Sequence, residues 1–436
     1  MKKFPALLMR SPLKWPLYGQ ILFALLLAIV VGVSFSSTTE FFGIPLLSIT
    51  SYFGSLFLNA LKMLIVPLIV SSIIVGMMGL DGDALGRLGG KTLLYYLSTS
   101  FVAILTGLVL VNIIQPGLSS GDAAKDTIGL AKSASEIMPH VTGHGMADVA
   151  NVFLRMIPSN IVAAAADGQM LGLIFFSLLF GYFISKLKSS QATVQKQFWQ
   201  GLLDIMMQMT ELVMKFSPLG VFALVCKVIL ISGVDAFVPL AWFFLTVILG
   251  LALHMFVTLP LILRLVARVS PARHFKAMMP VLLMAFSTSS SSATLPVTMD
   301  SVETRAGVSN RVVGFTLPLG ATVNMDGTAL YECVAAMFIA QAYGLHLSFA
   351  TQFTVVVIAL LTSIGVAGIP SASLVAIGVI LGAIGLPLEG IGLIMVVDRV
   401  LDMCRTAVNV FSDTCCAVTI ARLEGEKGVL QEAASG

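Results

Sequence analysis

Asp398, Asp402, Arg405, Asn409 and Asp413 are separated by 4, 3, 4 and 4 residues. On an α-helix they fall within an arc of about 80°, with Thr406 at its border. Three carboxylates and one guanidinium on one face of an apolar helix are costly to bury, and such groups mark ion or substrate pathways. A structural ion-pair ladder is the alternative, but three acids face one arginine on this stripe. The excess of negative charge requires cations from substrate or solvent. Arg405 is a planar donor that can hold a carboxylate at two points. Asp402, three residues earlier on the same face, can take an ammonium. Together they describe a zwitterion with an acidic side chain.

A second group is Asn324-Met325-Asp326-Gly327-Thr328, preceded by Pro318 and Gly320. Gly, Asn and Asp inside an apolar run predict local unwinding, against the alternative of a kink with a satisfied Asn. Free carbonyls beside a carboxylate make an oxygen-rich site of the kind hard cations prefer. One or two carboxylates with carbonyls suit weakly held sodium better than calcium. Glu332 follows in an otherwise apolar run (330–340). A carboxyl so placed can carry a proton, unless it snorkels or pairs with a lysine.

The elements that must position these groups are membrane helices. The chain has 436 residues, 57% of them hydrophobic and only 11% charged, with 25 Lys+Arg and 22 Asp+Glu. A soluble domain carries roughly 25% charged residues. Composition thus excludes a soluble enzyme of this size, and it equally excludes disorder. The long continuous apolar runs exclude a transmembrane barrel and leave a polytopic helical membrane protein. Candidate spans lie near 17–35, 46–78, 91–115, 169–187, 199–231, 236–269, 312–344 and 390–424. The stretch 116–150 reads as a polar loop. Lys/Arg near 1–14, 81–91, 186–196 and 264–276 place both termini in the cytoplasm by the positive-inside rule. Cys226, Cys333, Cys404, Cys415 and Cys416 show no metal-like spacing and read as reduced, packed thiols.

Two segments are interrupted. In 277–306 an apolar run of about ten residues meets Ser287-Thr288-Ser289-Ser290-Ser291-Ser292. Each arm is too short to cross, because ten helical residues rise roughly 15 Å. In 351–386 the run breaks at Thr362 to Ser371, through Gly365, Gly368 and Pro370. Both read as re-entrant hairpins. Non-helical backbone at membrane depth is tolerated only against protein or a water-filled cavity, and paired interrupted segments point to a transporter binding site. A small-residue packing face is the alternative for the Ser run. It would keep helical spacing, whereas these six hydroxyls are contiguous.

From about residue 15 to 425 the chain resembles the dicarboxylate/amino acid:cation symporters, which include archaeal aspartate transporters and animal excitatory amino acid transporters. The motifs are Ser-Ser-Ser-Ser-Ala-Thr-Leu-Pro at 289–296, Asn-Met-Asp-Gly-Thr at 324–328, Ser-Ile-Gly-Val-Ala-Gly-Ile-Pro at 363–370 and Asp-x-x-Arg-Thr-x-x-Asn-x-x-x-Asp at 402–413. The resemblance implies an all-α homotrimer built on inverted repeats, with eight transmembrane helices and two re-entrant helical hairpins per protomer, working as an elevator. It implies scaffold helices in 15–115, with the third helix joining the transport domain. A polar loop and two scaffold helices would occupy 116–235 and a sixth helix 236–272. Hairpin one would be 273–306, helix seven 312–344, hairpin two 348–386 and helix eight 390–424.

By motif position, Arg405 would hold a substrate carboxylate and Asp402 the amino group. Thr328, Thr406, Asn409 and the Ser289, Ser290 and Ser291 tip would complete the shell under Gly368 and Ile369. One sodium would use Asp413 with Gly320, Asn324 and Asn409. A second would use Thr322, Ser363, Ile364 and Val366. A third would use Asp326, Asn324, Tyr96, Thr99 and Ser100, and Met325 lies within this cation motif. Glu332 stands where animal members carry their proton. Retained acids at Asp402 and Asp413 and a retained Arg405 favour acidic amino acids and sodium over C4-dicarboxylates (succinate, fumarate, malate) or neutral amino acids. Ser289 and Met403 stand where archaeal and animal members respectively carry a second arginine, so the charge balance differs from both. The absence of N-x-[ST] sequons fits a bacterial inner-membrane protein. Neither an enzyme cofactor nor a nucleic-acid partner is implied. An intramembrane protease is disfavoured, since no G-x-G-D pair of membrane aspartates is present and His254 and His346 have no evident serine to activate.

Overall fold

The computed structural model describes residues 15, 17–78, 87–119, 122–123, 154, 156–166, 170–232, 237–363 and 372–430. The protein is predominantly helical. Helix α1 (Leu17–Ser34) leads through a two-stranded hairpin, β1 (Glu40–Phe41) and β2 (Ile44–Pro45), into α2 (Leu46–Met78). The 33 residues of α2 rise about 50 Å, more than a bilayer core is thick. There follow α3 (Arg87–Ile114), a second small hairpin, β3 (Leu118–Ser119) with β4 (Asp122–Ala123), then α4 (Ile161–Ala166) and α5 (Met170–Ser185). The expected span 199–231 is instead two helices, α6 (Ser189–Lys215) and α7 (Ser217–Ser232), bent by 52°. Pro218 sits at the second position of α7, where its missing N–H is tolerated.

One rod runs from α8 (Phe237–Leu253) through a π-helical turn (His254–Thr258), a single α turn, α9 (Leu259–Ile262), and a second π turn (Leu263–Ala267). Then come α10 (Pro271–Thr288), α11 (Ser291–Thr304), α12 (Asn310–Val323), α13 (Asp326–Ala342), α14 (Phe349–Ser363), α15 (Ala372–Ala383) and α16 (Ile391–Leu423).

The serine run breaks the helix far less than its composition suggests. Only Ser289, in the left-handed region at φ 51°, and Ser290 are non-helical. Hydroxyls in and just after the run bond back to their own helix and so are satisfied within it: Ser287 to Leu283 O at 2.7 Å, Thr294 to Ser290 O at 2.8 Å and Thr298 to Thr294 O at 3.0 Å. Ser290 caps α11 by accepting from Ala293 N at 3.2 Å. The arms are therefore 18 and 14 residues long, longer than the apolar run alone indicated.

The helices pack in two groups. α1 lies on α7, and α2 on α5, α6 and α7. α3 instead lies along α13, and α10, α12 and α13 all pack on α16. Every residue of α13 is buried, as expected of a helix enclosed on all sides. Around it lies an apolar core that includes Phe243, Phe338 and Ile394. A second core gathers α10, α12 and the end of α16 around Phe411, Leu317 and Val281. Large apolar side chains on the outside, such as Leu26, Val30, Phe256 and Leu265, stay exposed. Such a surface suits lipid rather than water. Among the described residues, Leu88–Ile114 and Phe237–Ala267 are long and apolar enough to span by themselves, and α6 with α7 would make a third as one broken span. α16 is as long as α2, but its polar stripe removes it from that count.

Candidate functional site

The site forms where the α16 stripe meets the break between α12 and α13. That break is Asn324-Met325, as the Gly/Asn/Asp pattern predicts. Asp326 opens α13 and is fully buried. Its Oδ1 accepts from Ser100 Oγ at 2.6 Å and Thr99 Oγ1 at 3.3 Å, both on α3. Its Oδ2 accepts from Ser412 Oγ at 2.6 Å and lies 3.0 Å from His254 Nε2. Asn324 Nδ2 donates to Asp413 Oδ1 at 2.9 Å and to Ser412 Oγ at 3.1 Å, which links the two carboxylates. Gly320 is needed for this approach. A Cβ there would stand 2.5 Å from Asp413 Oδ1 and 2.7 Å from the Tyr96 hydroxyl. Met325 is buried, with its carbonyl accepting from Ala329 N at 2.8 Å.

Asn409 closes the neighbouring end of α13. Its Oδ1 accepts from Gly327 N at 2.8 Å and Thr328 N at 3.3 Å, and its Nδ2 donates to Thr328 Oγ1 at 3.0 Å. A side chain from α16 thus caps N–H groups that α13 cannot satisfy itself.

One turn away, Arg405 is 1% exposed. Its NH2 donates to Asp402 Oδ1 at 2.8 Å, its NH1 lies 3.2 Å from Asp398 Oδ1, and its guanidinium covers the Tyr331 ring at 3.9 Å. The Tyr331 hydroxyl donates to Asp398 at 2.9 Å. Arg399 adds a second cation, with NH1 3.5 Å from Asp402 Oδ2. The expected three-to-one excess on the stripe is corrected here. Arg399 lies off the stripe, but its long side chain reaches round the helix, so Asp398 and Asp402 meet two arginines. Thr406 is buried beside them.

Glu332 is fully buried and accepts from Thr362 Oγ1 of α14 at 2.8 Å, while its other oxygen has no partner among the described residues. It does not snorkel, and it meets no lysine among the described residues.

Tyr96 joins the Asp326 group through its backbone: Thr99 Oγ1 lies 3.2 Å from Tyr96 O and 3.3 Å from Asp326 Oδ1, while the Tyr96 hydroxyl donates to Thr316 O at 2.8 Å, near Asp413. Thr322 is exposed and bonds to Leu319 O at 3.0 Å, while buried Ser363 bonds to Leu360 O at 2.8 Å, each within its own helix. Ser289 and Ser291 are buried at the α10–α11 turn. Ile364, Val366, Gly368 and Ile369 lie outside the described residues, as does most of the 116–150 loop.

A family model described as "Sodium:dicarboxylate symporter family" matches residues 17–423. The chain belongs to this family. It is a transporter by membership and not an enzyme. Among its relatives are a proton/glutamate-aspartate symporter of Escherichia coli (strain K12), 34% identical over 94% of each chain. A proton/sodium-glutamate symport protein of Bacillus caldotenax is 34% identical over 93% of this chain and 94% of its own. Excitatory amino acid transporter 3 of Mus musculus is 37% identical over 89% of this chain and 82% of its own.

Within this symporter family member, sequence reasoning missed His254, Ser412, Tyr331, Thr362 and Arg399. His254 carried a signal, because it continues the apolar stripe Leu240, Phe243, Val247, Leu251. Ser412 and Arg399 adjoin acids already singled out. Tyr331 and Thr362 carried none, since a hydroxyl in an apolar run has no local mark of its partner.

Proposed function

We propose that this chain imports acidic amino acids, L-aspartate or L-glutamate, across a bacterial inner membrane by symport with sodium. The observation that carries this reading is the buried Arg405–Asp402 pair on α16, one turn from Asn409 and the α13 break. An acidic amino acid offers a carboxylate to Arg405 and an ammonium to Asp402, and replaces their mutual bond with two charge-matched ones. Thr328, Thr406, Asn409 and the Ser289–Ser291 turn complete the shell.

Sodium would sit at Asp326 with Tyr96, Thr99, Ser100 and Asn324, and at Asp413 with Gly320, Asn324 and Asn409. Both carboxylates are buried among neutral donors and His254, so a cation would offset charge that is costly to bury. A further sodium would use Thr322 and Ser363 with Ile364 and Val366. Eight spans, two re-entrant hairpins and an elevator motion in a homotrimer, with cytoplasmic termini, complete the proposal. The packing of α3 on α13, away from α1 and α2, supports its place in the moving part.

The test is labelled L-aspartate uptake into proteoliposomes with and without an inward sodium gradient, at fixed pH and internal potassium. Uptake that needs sodium supports the reading, and sodium-indifferent uptake removes it. A second reading is proton drive, and the unpartnered Glu332 oxygen favours it. Under that reading an inward proton gradient alone drives uptake. Succinate competing as well as aspartate would shift the substrate to C4-dicarboxylates.

A further inference from the structure

The Asp326 carboxylate is gripped from two sides, and one side comes from a residue outside the cation ligands assigned above. Oδ1 faces α3, where Thr99 and Ser100 reach it. Oδ2 faces the opposite way, held by Ser412 on α16 and by His254 at the end of α8. His254 is 0% exposed and 72 residues distant in sequence.

Three features of the rod bring the imidazole there. The buried stripe Leu240, Phe243, Val247, Leu251 seats α8 on α13, with Phe243 stacked on Phe338 at a centroid distance of 4.7 Å. Gly250 permits close approach, since a Cβ there would stand 3.1 and 3.2 Å from the Leu330 methyls. The helix then widens into a π turn beginning at His254, a distortion frequent at functional sites. A carboxylate oxygen can only accept, so Nε2 carries the hydrogen. Nδ1 has no partner among the described residues. A residue present only to fill the core would be apolar at this position. A buried imidazole bonded through one nitrogen is there for that bond.

We infer that His254 is a positioning residue for the Asp326 cation site: its Nε2 hydrogen bond, together with that of Ser412, fixes Oδ2 and thereby aims Oδ1 at the α3 hydroxyls where sodium would bind. His254 acts through Asp326 and does not itself touch the ion. Outer partners of this kind hold a ligand in its binding geometry before the ion arrives, and their loss lowers metal affinity about 10- to 100-fold. The inference rests on the sodium reading above.

The test uses the full-length purified protein. Its thermal midpoint is followed against sodium at constant ionic strength, with choline as the replacing cation and without substrate. His254→Leu is expected to raise the sodium concentration for half-maximal stabilisation about tenfold. His254→Gln, whose Nε2 can donate to the same oxygen, is expected to stay within about twofold of the parent chain, a fraction of that outer-partner loss. The sodium half-saturation of aspartate uptake should move in parallel, with the rate at saturating sodium retained. A Leu variant with the parent's sodium midpoint overturns the inference, and so does a Gln variant as weak as Leu. Should His254→Leu not fold, His254→Asn, whose shorter amide falls short of Oδ2, takes its place under the same two criteria. A parent chain with no sodium response in either assay removes the sodium reading first, before any variant is compared.

Discussion

The two charged regions of the site solve burial differently. Around Arg405, charge meets charge: two arginines face Asp398 and Asp402, and Tyr331 covers the guanidinium. Around Asp326 and Asp413, carboxylates meet hydroxyls, an amide and one imidazole, with no lysine or arginine among their described partners. The first region pairs two acids with two arginines, so it suits a ligand carrying both signs, which can exchange partners with either. The second gathers carboxylate, hydroxyl and amide oxygens, so it suits a hard cation. Under the proposed function, the difference separates substrate binding from cation binding within a few turns of α13 and α16.

Three substitutions would break or sharpen that contrast. The largest effect is expected from Asp413→Asn, which keeps an acceptor for Asn324 but removes the charge. Sodium-driven aspartate uptake should fall to background, at least about 100-fold, if the charge provides a few kcal/mol of ion binding in this buried setting. Uptake with unchanged sodium dependence would place the cation elsewhere. Arg405→Cys should lower kcat/KM for aspartate about 100-fold, since truncating one member of a buried charge pair costs roughly 2–5 kcal/mol. Uptake of a neutral amino acid should persist or appear. Retained high-affinity aspartate uptake would count against Arg405 as the carboxylate anchor. The smallest effect belongs to Arg399→Gln. Its pair with Asp402 is long and its side chain is 19% exposed, so the pair is worth at most about 1 kcal/mol. Freed from it, Asp402 should hold the ammonium more tightly, and the aspartate KM should fall by up to about fivefold. A raised KM would show that Arg399 supports binding instead.

Much of this was legible from the chain alone. The polar stripe on α16, the break at Asn324-Met325 and the full 33-residue length of α2 follow from spacing and composition. Glu332 was legible as a buried acid. The serine turn was misjudged in extent, because hydroxyls that bond to their own helix look like loop residues in composition. The charge balance of the stripe was misjudged because a long arginine ignores the helical wheel. Tyr96, grouped with Thr99 and Ser100 by motif, meets Thr99 through its carbonyl at 3.2 Å, while its hydroxyl turns towards Thr316 and Asp413.

The sequence by itself determined that this is a membrane helical protein with acids on one helical face, since periodicity and apolar run length are local properties. Only the tertiary structure decided which donors meet which carboxylate. Those partners come from α3, α8 and α16, between 72 and 227 residues away in the Asp326 cluster. A hydrogen bond depends on a few tenths of an ångström across packed helices, and that distance is set by the whole core rather than by either segment.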